Sequence, residues 1–566
     1  MPQRIFQILF LSAALLVGAC SSGPQVVSDA PPETSEALSP IEVELIAFND
    51  CHGHLQGPSG TVIVDGERVE AGGIAHLAAH IKAVRDAHPN TVVVAAGDLI
   101  GASPLISAIF HDEPTIKALG MAGLEISSVG NHEFDRGVDE LLRMVEGGCH
   151  PKEGCREGYT YEGASFQYLA ANVRYRETGE TILPAYEIRE FEGVKIAFIG
   201  LTLEATPDIV VPSAIVDVTF ENEIETINAL VPELQAQGIE SIVVLIHEGG
   251  QPNKEIENIN ECPDLTGPIV TIAEGVDDAV DVIVSGHTHQ PYICEFGGKL
   301  VTSSQSFGRI ATKISLTIDR ESRDIVGRSA RQIVITHDIE PVAEIATLVA
   351  EYEELSASLA TRPVGKIKAD INRERNEAGE SPLGAIIADA QLAATTAPDL
   401  GAAKIAFMNP GGIRDALLFE SPTAPEPGVV TYAHLHTVQP FGNNLITMSL
   451  TGTQIHRLLE QQWEGQAHPR ILQPSKGFTY KWNPENPDGR KVDPGSIKLD
   501  GEVLDANKKY RVTVNNFLAN GGDAFTVLTE GTDLIGGVID LDALITYVEA
   551  HSPLAPQKPS RIQLAR

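Results

Sequence analysis

An amide, an imidazole and two carboxylates fall within the five consecutive residues Asn131-His132-Glu133-Phe134-Asp135, directly after an apolar stretch that ends in Val129-Gly130. Gly130 admits backbone conformations closed to other residues, which lets short polar side chains turn into a cleft. Asn131 offers a neutral oxygen to a metal ion, His132 a nitrogen that titrates near neutral pH, and Asp135 a carboxylate able to fix the tautomer of that imidazole. Alone, the stretch also reads as a polar loop capping a helix over Val138–Val145.

Four further polar clusters stand at the ends of apolar runs. Val43–Phe48 leads into Asn49-Asp50-Cys51-His52-Gly53, and Thr91–Ala96 into Gly97-Asp98. Ile242–Ile246 leads into His247-Glu248-Gly249-Gly250, and Val282–Gly286 into His287-Thr288-His289. Short β-branched runs bounded by glycine and polar residues are buried strands, and ligands at their carboxyl ends meet in one crevice of an open α/β sheet. The inventory is Asp50, His52, Asp98, Asn131, His247, His287 and His289. It contains imidazoles and oxygens and requires no thiolate. Two divalent cations about 3.5–4 Å apart, zinc, manganese or cobalt, need about this many protein ligands, with one carboxylate between them and positions left for water and substrate. Asp98 is the natural bridge.

This ordered set resembles the calcineurin-like metallophosphatases, and among them the bacterial 5′-nucleotidase, UDP-sugar hydrolase and 2′,3′-cyclic-nucleotide phosphodiesterase group, from about Ile41 to the end of the chain. The resemblance implies Asp50, His52, Asp98 and His289 on one metal and Asp98, Asn131, His247 and His287 on the other. It implies His132 and Asp135 as a catalytic dyad and a metal-activated hydroxide as nucleophile. Cys51 stands where relatives commonly carry a larger side chain.

The second half carries polar clusters of another kind. Asn409-Pro410-Gly411-Gly412-Ile413-Arg414-Asp415 is a glycine turn presenting an arginine. Gln439-Pro440-Phe441-Gly442-Asn443-Asn444 and the run Asn515 to Asp523 each present an aromatic beside amides or a carboxylate. These are the parts of a nucleoside pocket: aromatic faces for a base, amides for its edge, a carboxylate for ribose and arginine for phosphate. Gly-Gly-Ile-Arg, Gln-Pro-Phe-Gly-Asn and Gly-Gly-Asp match the 5′-nucleotidase C-terminal domain, which implies Phe441 and Phe517 for the base, Asn443 and Asp523 for polar groups and Arg414 for phosphate. Relatives carry one more arginine shortly before an Asn-Leu-Gly. This chain has Arg373-Glu374-Arg375 well upstream of Ser381-Pro382-Leu383-Gly384, leaving Arg373 and Arg375 as candidates. The substrates implied are 5′-monophosphates first, with cyclic nucleotides or UDP-sugars on the same scaffold. An inactive surface lipoprotein that binds nucleosides or a partner is the non-enzyme alternative.

The elements that must position these groups alternate. Ile74–Arg85 and Ile224–Gln235 have helical periodicity, Val194–Gly200 and Ile310–Ile318 read as strands, and Arg328–Ile335 as a hairpin partner of the latter. The expected fold class is α/β: a four-layer α/β/β/α domain over residues 41–337 followed by a separate α+β domain over residues 363–557. A connecting helix, residues 338–362, is read from the apolar spacing of Pro341–Leu359, and residues 558–566 read as a tail.

Arg4, the apolar run Ile5–Val17 and Gly18-Ala19-Cys20 form a short export signal, too short to span a bilayer. Cysteine after Val-Gly-Ala resembles a lipobox, which implies removal of residues 1–19, lipid on Cys20 and a flexible tether over residues 20–40. The protein is then an exported, membrane-anchored lipoprotein facing the periplasm or cell exterior. In that oxidising setting Cys149 and Cys155, and Cys262 and Cys294, are expected to pair, leaving Cys51 free. The 41 basic and 77 acidic residues give a formal net charge of −36, which argues against nucleic-acid polymers or anionic membrane surfaces as partners. Phosphate affinity must then come from the cations and local arginines.

Overall fold

The computed structural model describes residues 39–64, 66–155, 159–210, 214–254, 256, 258–466 and 468–565. The expected export signal, Cys20 and the part of the expected tether up to residue 38 lie outside them. From Pro40 onward the chain clusters into a single unit containing both halves. Among the described residues no helix is long and apolar enough to cross a membrane.

Two six-stranded sheets face one another in the first half. The first has the order Ile325–Val334, Ile310–Ile318, Ile41–Phe48, Thr91–Ala96, Ile126–Ser128, Gln167–Leu169. The second runs Tyr292–Phe296, Lys299–Ser303, Val282–Ser285, Ser241–His247, Val194–Thr202, Tyr186–Phe191. The central strands of both sheets pair in parallel, as does the edge strand Gln167–Leu169 with its neighbour, while Ile310–Ile318, Ile325–Val334, Tyr292–Phe296 and Tyr186–Phe191 join antiparallel. A parallel strand buried on both faces needs apolar residues at every position, which is why the runs are continuous instead of alternating. Val43, Leu45 and Ala47 point into a core shared with Phe198, Val243, Leu245 and Val284 of the opposite sheet. Ile46 and Phe48, on the other face of the same strand, meet the helix Ile74–Ala87 through Leu77 and Ile81. The helices Glu223–Ala236 and Pro268–Gly275 cover the outer face of the second sheet. The layering is α/β/β/α, as expected.

The connecting helix spans Ala343–Ala360. Its Ile345, Leu348, Val349 and Tyr352 join the core of the first domain, and burial of each such side chain is worth about 1.5–3 kcal/mol. The helix is thus docked on the first domain and is no free tether between the two.

In the second domain a five-stranded sheet has the order Gln473–Pro474, Ile405–Met408, Lys509–Asn515, Asn444–Thr451, Thr532–Ile539, and the helices Pro382–Thr395 and Asp540–His551 lie against it. A four-stranded sheet contains Phe478–Trp482 and Ile562–Leu564. This corrects one boundary. The segment read as a tail, 558–566, supplies a strand: Tyr480, Lys481 and Trp482 pair in parallel with Ile562, Gln563 and Leu564. Arg561 donates from Nη1 and Nη2 to the two carboxylate oxygens of Asp389, each at 2.8 Å. A bidentate pair of this kind on a largely buried carboxylate fixes the end of the chain.

Candidate active site

Five of the seven proposed ligands stand in left-handed backbone: Asp50 (φ 50°), His52 (φ 48°), Asp98 (φ 50°), His287 (φ 69°) and His289 (φ 58°). Each costs energy for a residue with a Cβ, and such residues cluster where the surroundings over-determine them for a function. Each lies two to four residues beyond a strand end, at Phe48, Ala96 or Ser285, where the chain must turn sharply to leave the sheet. The turns are packed back to back. A Cβ on Gly130 would lie 2.2 Å from Asp98 Oδ1, and one on Gly97 would lie 2.5 Å from Gly130 N, so both positions require glycine.

The side chains converge. Asp50 Oδ2 accepts from Asn49 Nδ2 (2.6 Å) and from the His287 backbone N–H (2.9 Å), and Asp98 Oδ1 accepts from the His132 N–H (2.9 Å). The free oxygens of both aspartates therefore face inward. His289 Nε2 comes within 3.1 Å of Asp50 Oδ1, and Asp98 Oδ2 lies 3.0 Å from His247 Nε2 and 3.7 Å from His52 Nε2. His52 Nδ1 donates to the Gly101 carbonyl (2.8 Å) and His247 Nδ1 to that of Ala96 (2.6 Å), which orients each Nε2 toward the centre. Asp50 Oδ1, Asn131 Oδ1 and His247 Nε2 are buried and have no partner of hydrogen-bond geometry. Buried polar atoms without partners are costly, and these are donors of the type that divalent zinc, manganese or cobalt takes. Among the groupings at this site are Asp50 with His52 and His289, and Asp98 with His247 and His287. Asp98 is also within reach of His52, as a bridge requires.

Electrostatics agree with this fit. Burial opposes ionisation of Asp50, but His289 and His247 outweigh it and hold the carboxyl well below its ordinary range. Burial drives His52 down and His287 down to about 3, leaving neutral imidazoles with a lone pair to donate. Burial acts the same way on His247, yet Asp98 raises it to about 10. A cation arriving there displaces that proton.

His132 Nδ1 donates to Asp135 Oδ2 at 2.7 Å, leaving Nε2 as the second ring nitrogen. Burial lowers its proton affinity, but the Asp135 and Asp98 carboxylates more than compensate, so the imidazole is held above its ordinary value.

Glu133 has no role that sequence reasoning assigned. Its carboxylate accepts from the backbone N–H groups of Asp98 (3.0 Å), Leu99 (2.8 Å) and Gly130 (2.6 Å), tying the Asp98 turn to the Asn131 turn. The available signal was a carboxylate set between two ligand loops rich in glycine N–H groups.

The dyad opens onto a cavity of about 320 Å³ walled by both domains. Asn131, His132, Asp135 and His287 come from the first. Arg414, Phe441, Asn443, Phe517 and Asp523 come from the second, so five of the six residues expected at the substrate are brought together. The Phe441 ring lies near-parallel to the His132 ring, 5.7 Å between centroids and 11° between planes, with the Arg414 guanidinium 5.7 Å from the Phe441 centroid.

Arg375 is not brought in. It is exposed and does not line the cavity, because Ile371–Glu380 turns outward and is closed by Asn376, whose side chain accepts from the N–H groups of Ala378 and Glu380. Arg373 Nη1 instead donates to the Ile413 carbonyl (3.2 Å), next to Arg414. The second arginine lining the cavity, besides Arg414, is Arg470, and Asn409 and Asn515 line it too. The asparagines stand at the ends of the parallel neighbours Ile405–Met408 and Lys509–Asn515, a strand-end signal of the kind that located the metal ligands.

Disulfides join Cys149 to Cys155 and Cys262 to Cys294, and Cys51 is free and buried.

The model of the calcineurin-like phosphoesterases matches residues 44–291, and that of the 5′-nucleotidase C-terminal domain matches residues 363–530. The chain is 32% identical over 535 residues to the endonuclease YhcR of Bacillus subtilis strain 168, aligning 93% of this chain and 41% of that protein, so it spans less than half of that relative's length. It is 30% identical to the cell wall protein Lmo0130 of Listeria monocytogenes, aligning 93% of this chain and 70% of that protein. The crystal structure of a 5′-nucleotidase precursor from Thermus thermophilus is similar with a TM-score of 0.75 at 26% identity, over 93% of this chain and 99% of that one.

Proposed function

Because the chain belongs to the calcineurin-like metallophosphatases that carry a 5′-nucleotidase C-terminal domain, we propose that it hydrolyses nucleoside 5′-monophosphates to nucleoside and phosphate. One observation carries this reading: the His132–Asp135 dyad and the Arg414, Phe441 and Phe517 side chains face one cavity from opposite domains. A phosphate ester held at the dyad therefore extends toward two aromatic rings.

Asp50, His52, Asp98, Asn131, His247, His287 and His289 would hold two divalent cations, which when bound supply Lewis acidity and activation of water for attack on phosphorus. The protein residues do the rest. Arg414 binds phosphate oxygens. His132, charged and oriented by Asp135, presents a proton from Nε2 to the leaving ester oxygen. Phe441 and Phe517 hold the base, Asn443 meets its polar edge and the Asp523 carboxylate faces the ribose.

Product release measured across four substrates, with manganese, zinc or cobalt supplied, tests the assignment: phosphate from 5′-monophosphates, nucleoside monophosphate from 2′,3′-cyclic nucleotides, UMP from UDP-glucose and mononucleotides from single-stranded DNA. Preferential release from 5′-monophosphates is expected. The net charge of −36 makes DNA the expected negative, and no release from any nucleotide would leave a binding protein instead. The proposed location is the membrane surface of an exported compartment, through lipid on Cys20. Two disulfides support an oxidising compartment. Cys20→Ser should release the protein into the soluble exported fraction, and wild-type protein already soluble without detergent would refute the anchor.

A further inference from the structure

Arg470 belongs to no motif of the chain, yet it lines the cavity and its guanidinium pairs through Nη1 with Asp523 Oδ1. Asp523 is a costly residue to place. It is 7% exposed, and both it and Ala524 stand in left-handed backbone, at φ 57° and 59°. Its second carboxylate oxygen accepts from Asn409 Nδ2 (2.9 Å), and its backbone carbonyl accepts from Gln466 Nε2 (2.7 Å). Burial favours the neutral carboxyl, and Arg470 and Asn409 oppose that tendency. Without the guanidinium the carboxylate would be a buried acid free to protonate and rotate.

The segment that carries Arg470 is itself anchored. The Arg470 N–H donates to the Gln462 carbonyl (2.9 Å) and the Leu472 N–H to Gln462 Oε1 (2.7 Å), while Trp463 packs on Trp482 with ring centroids 4.7 Å apart. A rigid donor acting on a strained acceptor is pre-organisation: the ordering cost is met before a ligand arrives.

We propose that Arg470 is a positioning residue for sugar recognition, holding the Asp523 carboxylate so that its remaining lone pairs accept the vicinal hydroxyls of a ribose. The inference rests on the nucleotide reading above, in which a carboxylate meets the ribose, and adds to it the residue that holds that carboxylate in place. A carboxylate has about four acceptor sites. Arg470 and Asn409 occupy one on each oxygen, which leaves one on each for the two hydroxyls.

The test compares adenosine 5′-monophosphate with its 2′,3′-dideoxy analogue, both measured on the same sample so that their ratio is independent of the active fraction. Hydrogen bonds to a charged group are worth about ten- to a hundred-fold in affinity, and the wild type should prefer the ribonucleotide on that scale. Arg470→Ala should bring the ratio close to one, through a higher KM for the ribonucleotide with kcat little changed, and Arg470→Lys should restore part of it. Because Arg470 acts through Asp523, adding Arg470→Ala to Asp523→Asn should cost nothing further. Should Arg470→Ala melt early, Arg470→Gln gives the same readout with more of the packing kept. A wild-type ratio retained in these variants, or additive losses in the double variant, would overturn the role of Arg470. Failure of the wild type to hydrolyse any nucleotide would overturn the underlying reading instead.

Discussion

Phe441, from the second domain, lies near-parallel to His132 of the first, 5.7 Å away. A ring expected to hold a base thus also contacts the imidazole expected to do proton transfer. Phe441→Ala should accordingly have two effects: a loss of about ten- to a hundred-fold on nucleotides, from a lost stacking face, and a smaller one of about two- to ten-fold on p-nitrophenyl phosphate, from a lost aromatic contact on His132. A variant with unaltered p-nitrophenyl phosphate turnover would show that the contact with His132 has no role in the chemistry.

His132 and Asp98 should separate proton transfer from metal binding. His132→Ala should lower turnover by ~10²–10⁴-fold, the usual worth of a general acid, with two metal ions per chain retained by elemental analysis. Asp98→Ala should lose metal and activity together. Unchanged turnover in His132→Ala would sink the dyad assignment.

Glu133→Gln keeps the shape and loses half of the acceptors. The amide nitrogen of glutamine would face a backbone N–H of Asp98, Leu99 or Gly130, leaving a buried donor unpaired at a cost of about 1–3 kcal/mol. Lower thermal stability and weaker metal retention are expected, although Glu133 touches neither metal nor substrate. Full metal occupancy and a wild-type melting temperature would mean that the two turns do not depend on this carboxylate.

Asp281 gives a pH signature away from the site. Burial pushes its carboxyl from the ordinary 3.8 up to about 7, against the Ile242 N–H that donates to it. A raised folded value means that the folded chain binds the proton more tightly than the unfolded chain. The stability contribution is therefore complete below about pH 4 and is lost as pH rises through about 7. Asp281→Asn should gain stability relative to wild type between pH 4 and 8, read from denaturant midpoints. A difference that stays flat across that window would contradict the shift.

Much of this was legible in the chain because the first domain is built from parallel strands buried on both faces. Leu45–Phe48, Val92–Ala96 and Ile242–Ile246 are apolar for that reason, and ligands at their ends inherit one location from the sheet. What stayed illegible depended on distant partners. Ile562-Gln563-Leu564 is too short to announce a strand, and its partner Tyr480–Trp482 is about eighty residues away in the chain. Arg470 sits in a polar stretch with no periodicity and acquires meaning only from Asp523, 53 residues later. Arg375 is suggested only by its place in the chain, and a turn closed by Asn376 leaves it outside the cavity.

The central claim is that one substrate is held at both ends, by metal ligands in the first domain and by aromatic rings in the second. The most direct measurement is kcat/KM of Phe517→Ala on adenosine 5′-monophosphate and on p-nitrophenyl phosphate, since Phe517 lines the cavity while Phe441 is the ring that lies against His132. Stacking worth roughly 1–3 kcal/mol predicts a loss of about ten- to a hundred-fold on the nucleotide and almost none on the base-free ester. Equal losses on the two substrates, or no loss on either, would contradict it.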